Sequence, residues 1–168
     1  MTQFEELRAA NEGFVSSFAA ADLPKEPRRR LAVLTCMDAR VDPQKCLGLE
    51  LGDAHVIRNA GARVSEDAIR SLVISQRLLG TNEILVLYHT DCGMQNFRNE
   101  DLRTKIRVDL GVDVGQRDFM PFDDLEKALR DDVRTLRESE LISRDVSIVG
   151  AVYDVKTGRL TEVVKSRP

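Results

Sequence analysis

Two stretches decide the fold: Leu31–Arg40, LAVLTCMDAR, and Glu83–Met94, EILVLYHTDCGM. Each opens on a short apolar run and then enters a cluster of reactive side chains. Apolar runs of this length, rich in Val, Ile and Leu and bounded by charges, belong to strands buried on both faces. Working outward, His55–Arg58 (HVIR) reads as another strand. Residues 65–79 read as a helix, with Ser65 as N-cap, Glu66 and Asp67 in the first turn, and Gly80 closing it. Residues 99–110 and 122–138 are helical. Val146–Tyr153 and Leu160–Val164 alternate around Lys156-Thr157-Gly158, which predicts a C-terminal hairpin. Strands alternating with helices predict an α/β fold with a mostly parallel central sheet flanked by helices. At the N-terminus, Phe4, Leu7, Phe14, Val15 and Phe18 fall near helical spacing over residues 3–20. Asp22–Arg30 is a proline-containing linker, and Arg28-Arg29-Arg30 reads as solvated. The expectation is one domain over 1–168, with 1–30 as a helix-and-linker arm.

Composition narrows the function. Lys and Arg number 25 against 28 Asp and Glu, a formal net charge of −3. That balance argues against a general nucleic-acid binder, which needs clustered cations. No apolar run is long enough for a membrane span, and no secretion signal is visible. The three cysteines, Cys36, Cys46 and Cys92, do not form a disulfide framework. The reading is a soluble, cytoplasmic protein whose thiols stay reduced and free to bind metal or react.

Open parallel sheets bind ligands beyond the carboxyl ends of their strands. If the strands of the two quoted stretches are neighbours, Cys36 converges on His89 and Cys92. Two Cys and one His form a soft, tetrahedral-leaning donor set that suits zinc and leaves a fourth position open. Asp38 and Arg40 follow Cys36 at alternate positions and share its side of the chain. A carboxylate there either ligates the metal or accepts a hydrogen bond from metal-bound water. Arg40 can grip it bidentately and favour the second state. Two thiolates neutralise the charge of zinc, so its water should be less acidic than one held by three neutral imidazoles. His55 either lines a cleft or is a satisfied, partly buried histidine. Cys46 reads as a small buried hydrophobe, Tyr88 and Phe97 as packing residues, and Gly61 as a turn or close backbone approach. Dinucleotide, P-loop and serine-elbow motifs are missing. Two readings compete with a zinc enzyme. One is a thiol enzyme with Cys36 as nucleophile and His89 as base. The other is a zinc-stabilised binding domain with Asp38 as fourth ligand.

The stretch Leu31–Met94 resembles the core of a β-class carbonic anhydrase. The resemblance rests on CMDAR (Cys36–Arg40), HVIRNAGARV (His55–Val64) and HTDCGM (His89–Met94), and the hairpin fits it too. It implies zinc held by Cys36, His89 and Cys92, with an Asp38–Arg40 dyad beside it. The implied reaction is reversible hydration of carbon dioxide by zinc-bound hydroxide. The backbone N–H groups of Asp38 and Gly93 are implied contacts to substrate, and no organic cofactor is implied. A homodimer or homotetramer with the N-terminal helix on a partner subunit is implied as well. Two positions depart from the family pattern. Pro27 stands where many members carry Gln, and His55 where many carry an aromatic residue. Enzymes with this core that hydrolyse carbonyl sulfide or carbon disulfide are the alternative, since those substrates are also linear and neutral.

Overall fold

A computed structural model describes residues 2–167. Its sheet contains β1 (Leu31–Cys36), β2 (Ala54–Asn59), β3 (Glu83–His89), β4 (Ser147–Tyr153) and β5 (Leu160–Ser166), in the order β2-β1-β3-β4-β5. The first four strands run parallel, and β5 returns antiparallel to β4. β1 and β3 are direct neighbours, with Thr35 opposite Leu87, so the two reactive strand ends meet at one edge of the sheet. The hairpin turns at Asp154, whose carboxylate accepts the N–H groups of Lys156 and Thr157.

The central strands β1 and β3 are buried on both faces, and their side chains alternate. Ala32, Leu34 and Cys36 of β1 join Ile84, Val86 and Tyr88 of β3 in the larger apolar cluster. That cluster is closed by α3 (Glu66–Arg77), through Ala68 and Leu72, and by α5 (Leu125–Glu138), through Leu129, Val133 and Leu136. Val33 and Leu87 point to the opposite face with Leu49 and Ala151. Each fully buried Leu or Ile contributes about 1.5–3 kcal/mol. A slip of one residue would exchange the two faces, so this pattern fixes the register and puts Cys36 on the α3–α5 side.

Helix boundaries follow local chemistry. Ser65 caps α3 by accepting the Ala68 N–H, and Asp124 caps α5 by accepting that of Lys127, so α5 starts at Leu125 rather than 122. α4 spans Asn99–Leu110. A short α2 (Pro43–Leu47), capped by Asp42, was not foreseen from the sequence. α1 covers Gln3–Val15, five residues shorter at its end than the apolar spacing suggests. The Ser16 and Ser17 hydroxyls bond back to the carbonyls of Gly13 and Phe14 and end the helix there. Phe4, Leu7, Phe14 and Val15 of this arm are all exposed.

The basic run is exposed, as its sequence reading expects, but it is also paired. Arg28 and Arg29 both bind Asp53, whose side chain is fully buried and also accepts the Glu50 N–H. The linker is therefore pinned to the entrance of β2. The Glu50 N–H, with Arg28 and Arg29 behind it, holds the Asp53 carboxyl below its ordinary value of 3.8. A depressed carboxyl contributes stability above the unfolded value and loses it as pH falls through the lower folded one. Asp53→Asn is expected to flatten the acid side of the stability curve below about pH 4. Denaturant midpoints at stepped pH read this directly; an unchanged acid limb would show that Asp53 carries no linkage.

Candidate metal centre

β1 delivers Cys36 as its last residue, and β3 delivers His89 as its last. Cys92 follows one tight turn later, after Asp91 with its left-handed φ of 55°. All three side chains are buried, and their ligand atoms lie within 4.8 Å of one another. His89 Nδ1 sits 2.9 Å from the Thr90 carbonyl oxygen, which can only accept, so Nδ1 carries the proton. The lone pair is left on Nε2, which is buried and without a hydrogen-bond partner. An orphaned imidazole nitrogen beside two sulfurs is costly unless an ion takes its lone pair. One ion with bonds of about 2.0–2.3 Å can draw these atoms in, and the donor set fits zinc.

The sulfurs are electrostatically unequal. The Cys36 thiol is held well below its ordinary value by its hydrogen bond with Cys92, against the penalty of burial, and further by the N–H groups of Asp38 and Gly61. Cys92 is pushed up by that same bond and by burial. Gly61 donates its N–H to the Cys36 sulfur at 3.3 Å. Its φ is 80°, and a Cβ there would stand 2.7 Å from Met94 Cγ. Gly61→Ala should therefore lose about 1–2 kcal/mol from the left-handed backbone alone, read as a lower denaturant midpoint. A midpoint equal to that of the parent chain would show that the turn is not constrained.

Asp38 lies at the rim, its Oδ2 3.7 Å from His89 Nε2. Arg40 grips both of its oxygens, with Nε 3.0 Å from Oδ1 and Nη2 2.8 Å from Oδ2. The Arg40 hydrogen bond, with further help from the Arg40 N–H, holds this carboxyl far below the usual range, so it stays ionised. Arg40 is itself clamped by Asp91, through the carboxylate at 2.7 Å and the carbonyl at 2.8 Å. Arg58 fixes the backbone beneath, donating to the carbonyls of Cys36 and Asp38. A cleft of about 170 Å³ leads to the sulfurs, lined by Met37, Ala60, Gly61, Gly93 and Met94. A larger groove of about 390 Å³ opens beside Arg63 and Lys127, but it is the smaller cleft that borders Cys36 and Cys92.

Residues 31–112 match the family model described as carbonic anhydrase. β-Carbonic anhydrase 1 of Mycobacterium tuberculosis is 41% identical over 165 residues, covering 97% of this chain and 99% of that protein. The chain belongs to the β-carbonic anhydrase family. The crystal structure of carbonic anhydrase from Streptococcus mutans is similar with a TM-score of 0.94 at 50% identity, over 98% of this chain and 99% of that one. Carbon disulfide hydrolase of Acidianus is 40% identical over 156 residues, 79% of this chain and 76% of that protein. β-Carbonic anhydrases are zinc enzymes, and the Cys36, His89 and Cys92 donors suit that metal.

The structure gathers Cys36, Asp38, Arg40, His89, Cys92 and Gly93 at one end of this β-carbonic anhydrase sheet. It does not bring His55 there. In the β1–β2 ladder His55 pairs with Ala32, while Asn59 pairs with Cys36, so His55 stands at the opposite end. Its Nδ1 is satisfied by the Ser75 hydroxyl at 2.7 Å. Arg58, Gly61 and Asp91 were missed as site residues. The signal for Arg58 and Gly61 was their place at the exit of β2, at the same sheet edge as Cys36. Asp91 lies between His89 and Cys92 in sequence, but only the fold brings it to Arg40.

Proposed function

We propose that this chain catalyses the reversible hydration of carbon dioxide to bicarbonate and a proton, with zinc held by Cys36, His89 and Cys92. The observation that carries the reading is the buried Cys–His–Cys group with the Asp38–Arg40 pair at its open rim. When bound, zinc supplies the Lewis acidity that turns a water into a nucleophile near neutral pH. The remaining work falls to the chain. Arg40 keeps Asp38 ionised, so Asp38 Oδ2 accepts a hydrogen bond from the attacking water and aims its lone pair into the cleft. Asp38 is thus an orienting acceptor and not a proton donor. Met37, Ala60 and Met94 give a linear neutral molecule a seat of low polarity. The Gly93 N–H, at the start of a 3₁₀ turn, is the donor we assign to a substrate oxygen.

Residues 1–168 are read as one catalytic domain, with 1–30 as an arm. α1 buries none of its own residues. A helix of this length is marginal in water by itself. Its exposed Phe4, Leu7, Phe14 and Val15 support a homodimer or homotetramer in which the arm lies on a partner subunit. The described residues contain no helix long and apolar enough to cross a membrane, and the free cysteines support a cytoplasmic location.

The second reading is hydrolysis of carbon disulfide or carbonyl sulfide on the same zinc. It is favoured by the apolar cleft and by the similarity to carbon disulfide hydrolases. Stopped-flow hydration of carbon dioxide, run beside hydrolysis of the two sulfur compounds on zinc-loaded protein, separates them. Carbon dioxide turnover that dominates and rises with pH above neutral is expected. Hydrolysis of carbon disulfide with no hydration would overturn the assignment.

A further inference from the structure

A cluster of buried polar side chains lies behind the sulfur pair, and the reaction described above does not use it. Asp132 on α5 is 4% exposed and Tyr88 on β3 is 1% exposed. The Tyr88 hydroxyl donates to Asp132 Oδ2 at 2.7 Å, and the Val64 N–H donates to the same oxygen at 3.0 Å. Arg63 donates from Nη1 to the Tyr88 oxygen at 2.7 Å, and its Nη2 stands 3.3 Å from Asp132 Oδ1. The Arg63 guanidinium also lies over the Phe122 ring, 5.6 Å from its centre. Burying an acid, a cation and a phenol together is costly, and apolar residues of similar size would often serve stability as well or better. What these bonds supply is a fixed geometry, even though the Arg63 Nε is left buried without a partner.

The geometry it fixes is that of the segment leaving β2. Arg63 and Val64 end the turn that begins at Asn59, whose side-chain amide donates to the Arg63 carbonyl at 2.7 Å. Inside the turn Gly61 and Ala62 are both left-handed, with φ of 80° and 58°. Glycine takes this conformation freely, but a left-handed Ala62 is costly and persists only where its surroundings over-determine it. Here the surroundings are Asp132, Tyr88 and Arg63, together with Met94 and Phe122, which stand close to Gly61 and are joined by the Phe122 N–H bond to the Met94 carbonyl. The product of the turn is the Gly61 N–H aimed at the Cys36 sulfur. The chain of contacts therefore runs from α5 through Val64 and Arg63 to Gly61 and onto a proposed zinc ligand.

We propose that Asp132, together with Tyr88 and Arg63, is a positioning cluster that holds the Gly61 N–H on the Cys36 sulfur and so sets how tightly this site holds zinc. The proposal rests on the zinc reading above. Asp132 touches neither metal nor substrate; it acts through the backbone of the turn. Groups that orient a ligand from behind typically change metal affinity by about 10–100-fold when removed.

The test uses the full-length, zinc-loaded chain. Tyr88→Phe removes one oxygen, Asp132→Asn removes the charge, and Leu136→Ala truncates an apolar core residue of the same helix as a stability control. Zinc affinity is read by competition with a chromophoric chelator. The thiolate-to-metal absorption of the cobalt-substituted protein reports the sulfur environment, and thermal unfolding reports stability. Tyr88→Phe and Asp132→Asn are expected to bind zinc at least about tenfold more weakly and to shift the cobalt band. Leu136→Ala is expected to lower the unfolding midpoint while keeping affinity and band. Folded Tyr88→Phe protein with parental affinity and spectrum overturns the proposal, as does an equal loss of affinity in Leu136→Ala. If Asp132→Asn does not fold, Tyr88→Phe decides alone. A parent chain that takes up no zinc would instead bring down the zinc reading, and this proposal with it.

Discussion

His89→Ala and Cys36→Ser are each expected to abolish carbon dioxide hydration and to strip the protein of zinc. Each removes one of three donors whose atoms lie within 4.8 Å of one another. His89 offers the one nitrogen in the group, and its free lone pair is fixed by the Nδ1–H bond to Thr90. Loss of the metal removes several kcal/mol of transition-state stabilisation, which returns turnover to the uncatalysed background. Metal analysis and stopped-flow hydration on the same samples provide the check. Parent-like turnover in His89→Ala, with zinc retained, would place the metal elsewhere.

Arg40→Ala carries the second large effect. Arg40 is the only group seen to grip both Asp38 oxygens among the described residues, and Asp91 holds Arg40 in turn. Freed of that grip, Asp38 no longer orients the attacking water, and its Oδ2 is already 3.7 Å from His89 Nε2. With zinc held by Cys36, His89 and Cys92, the freed Asp38 carboxylate would be close enough to act as a further ligand in place of water. Turnover is expected to fall by about 10²-fold, the scale of an ångström of misplacement in a reacting group, with zinc content unchanged. Asp38→Asn should lose a comparable factor. Asp91→Ala should lie between the parent and Arg40→Ala, since it removes one of the two Asp91 contacts and leaves the carbonyl. Full turnover in zinc-replete Arg40→Ala would remove the dyad from the mechanism.

Much of this was legible before any coordinates. The apolar runs of β1 and β3 announced buried parallel strands, and two reactive clusters just past their ends announced the sheet edge where chemistry would sit. Cys36, His89 and Cys92 could be paired because parallel topology makes successive strand ends converge. What stayed hidden shares one physical character: contacts between residues far apart in sequence and unremarkable alone. Arg28 and Arg29 are solvated as they looked, but their grip on the fully buried Asp53 was hidden because it lies some two dozen residues away. Asp132 looked like an ordinary helix acid until α5 packed it against Tyr88 and Val64. His55 shared a motif with site residues, yet a strand carries its two ends in opposite directions, and His55 occupies the far one. α1 ended early because local serine bonds decide a helix end that no packing extends.

X-ray absorption at the zinc edge, on protein purified without chelator and with metal content measured, tests the metal centre most directly. One zinc per chain is expected, with two sulfur neighbours at about 2.3 Å and one imidazole nitrogen near 2.0–2.1 Å. A shell of oxygen and nitrogen alone, or protein that carries no zinc after growth in zinc-replete medium, would contradict it.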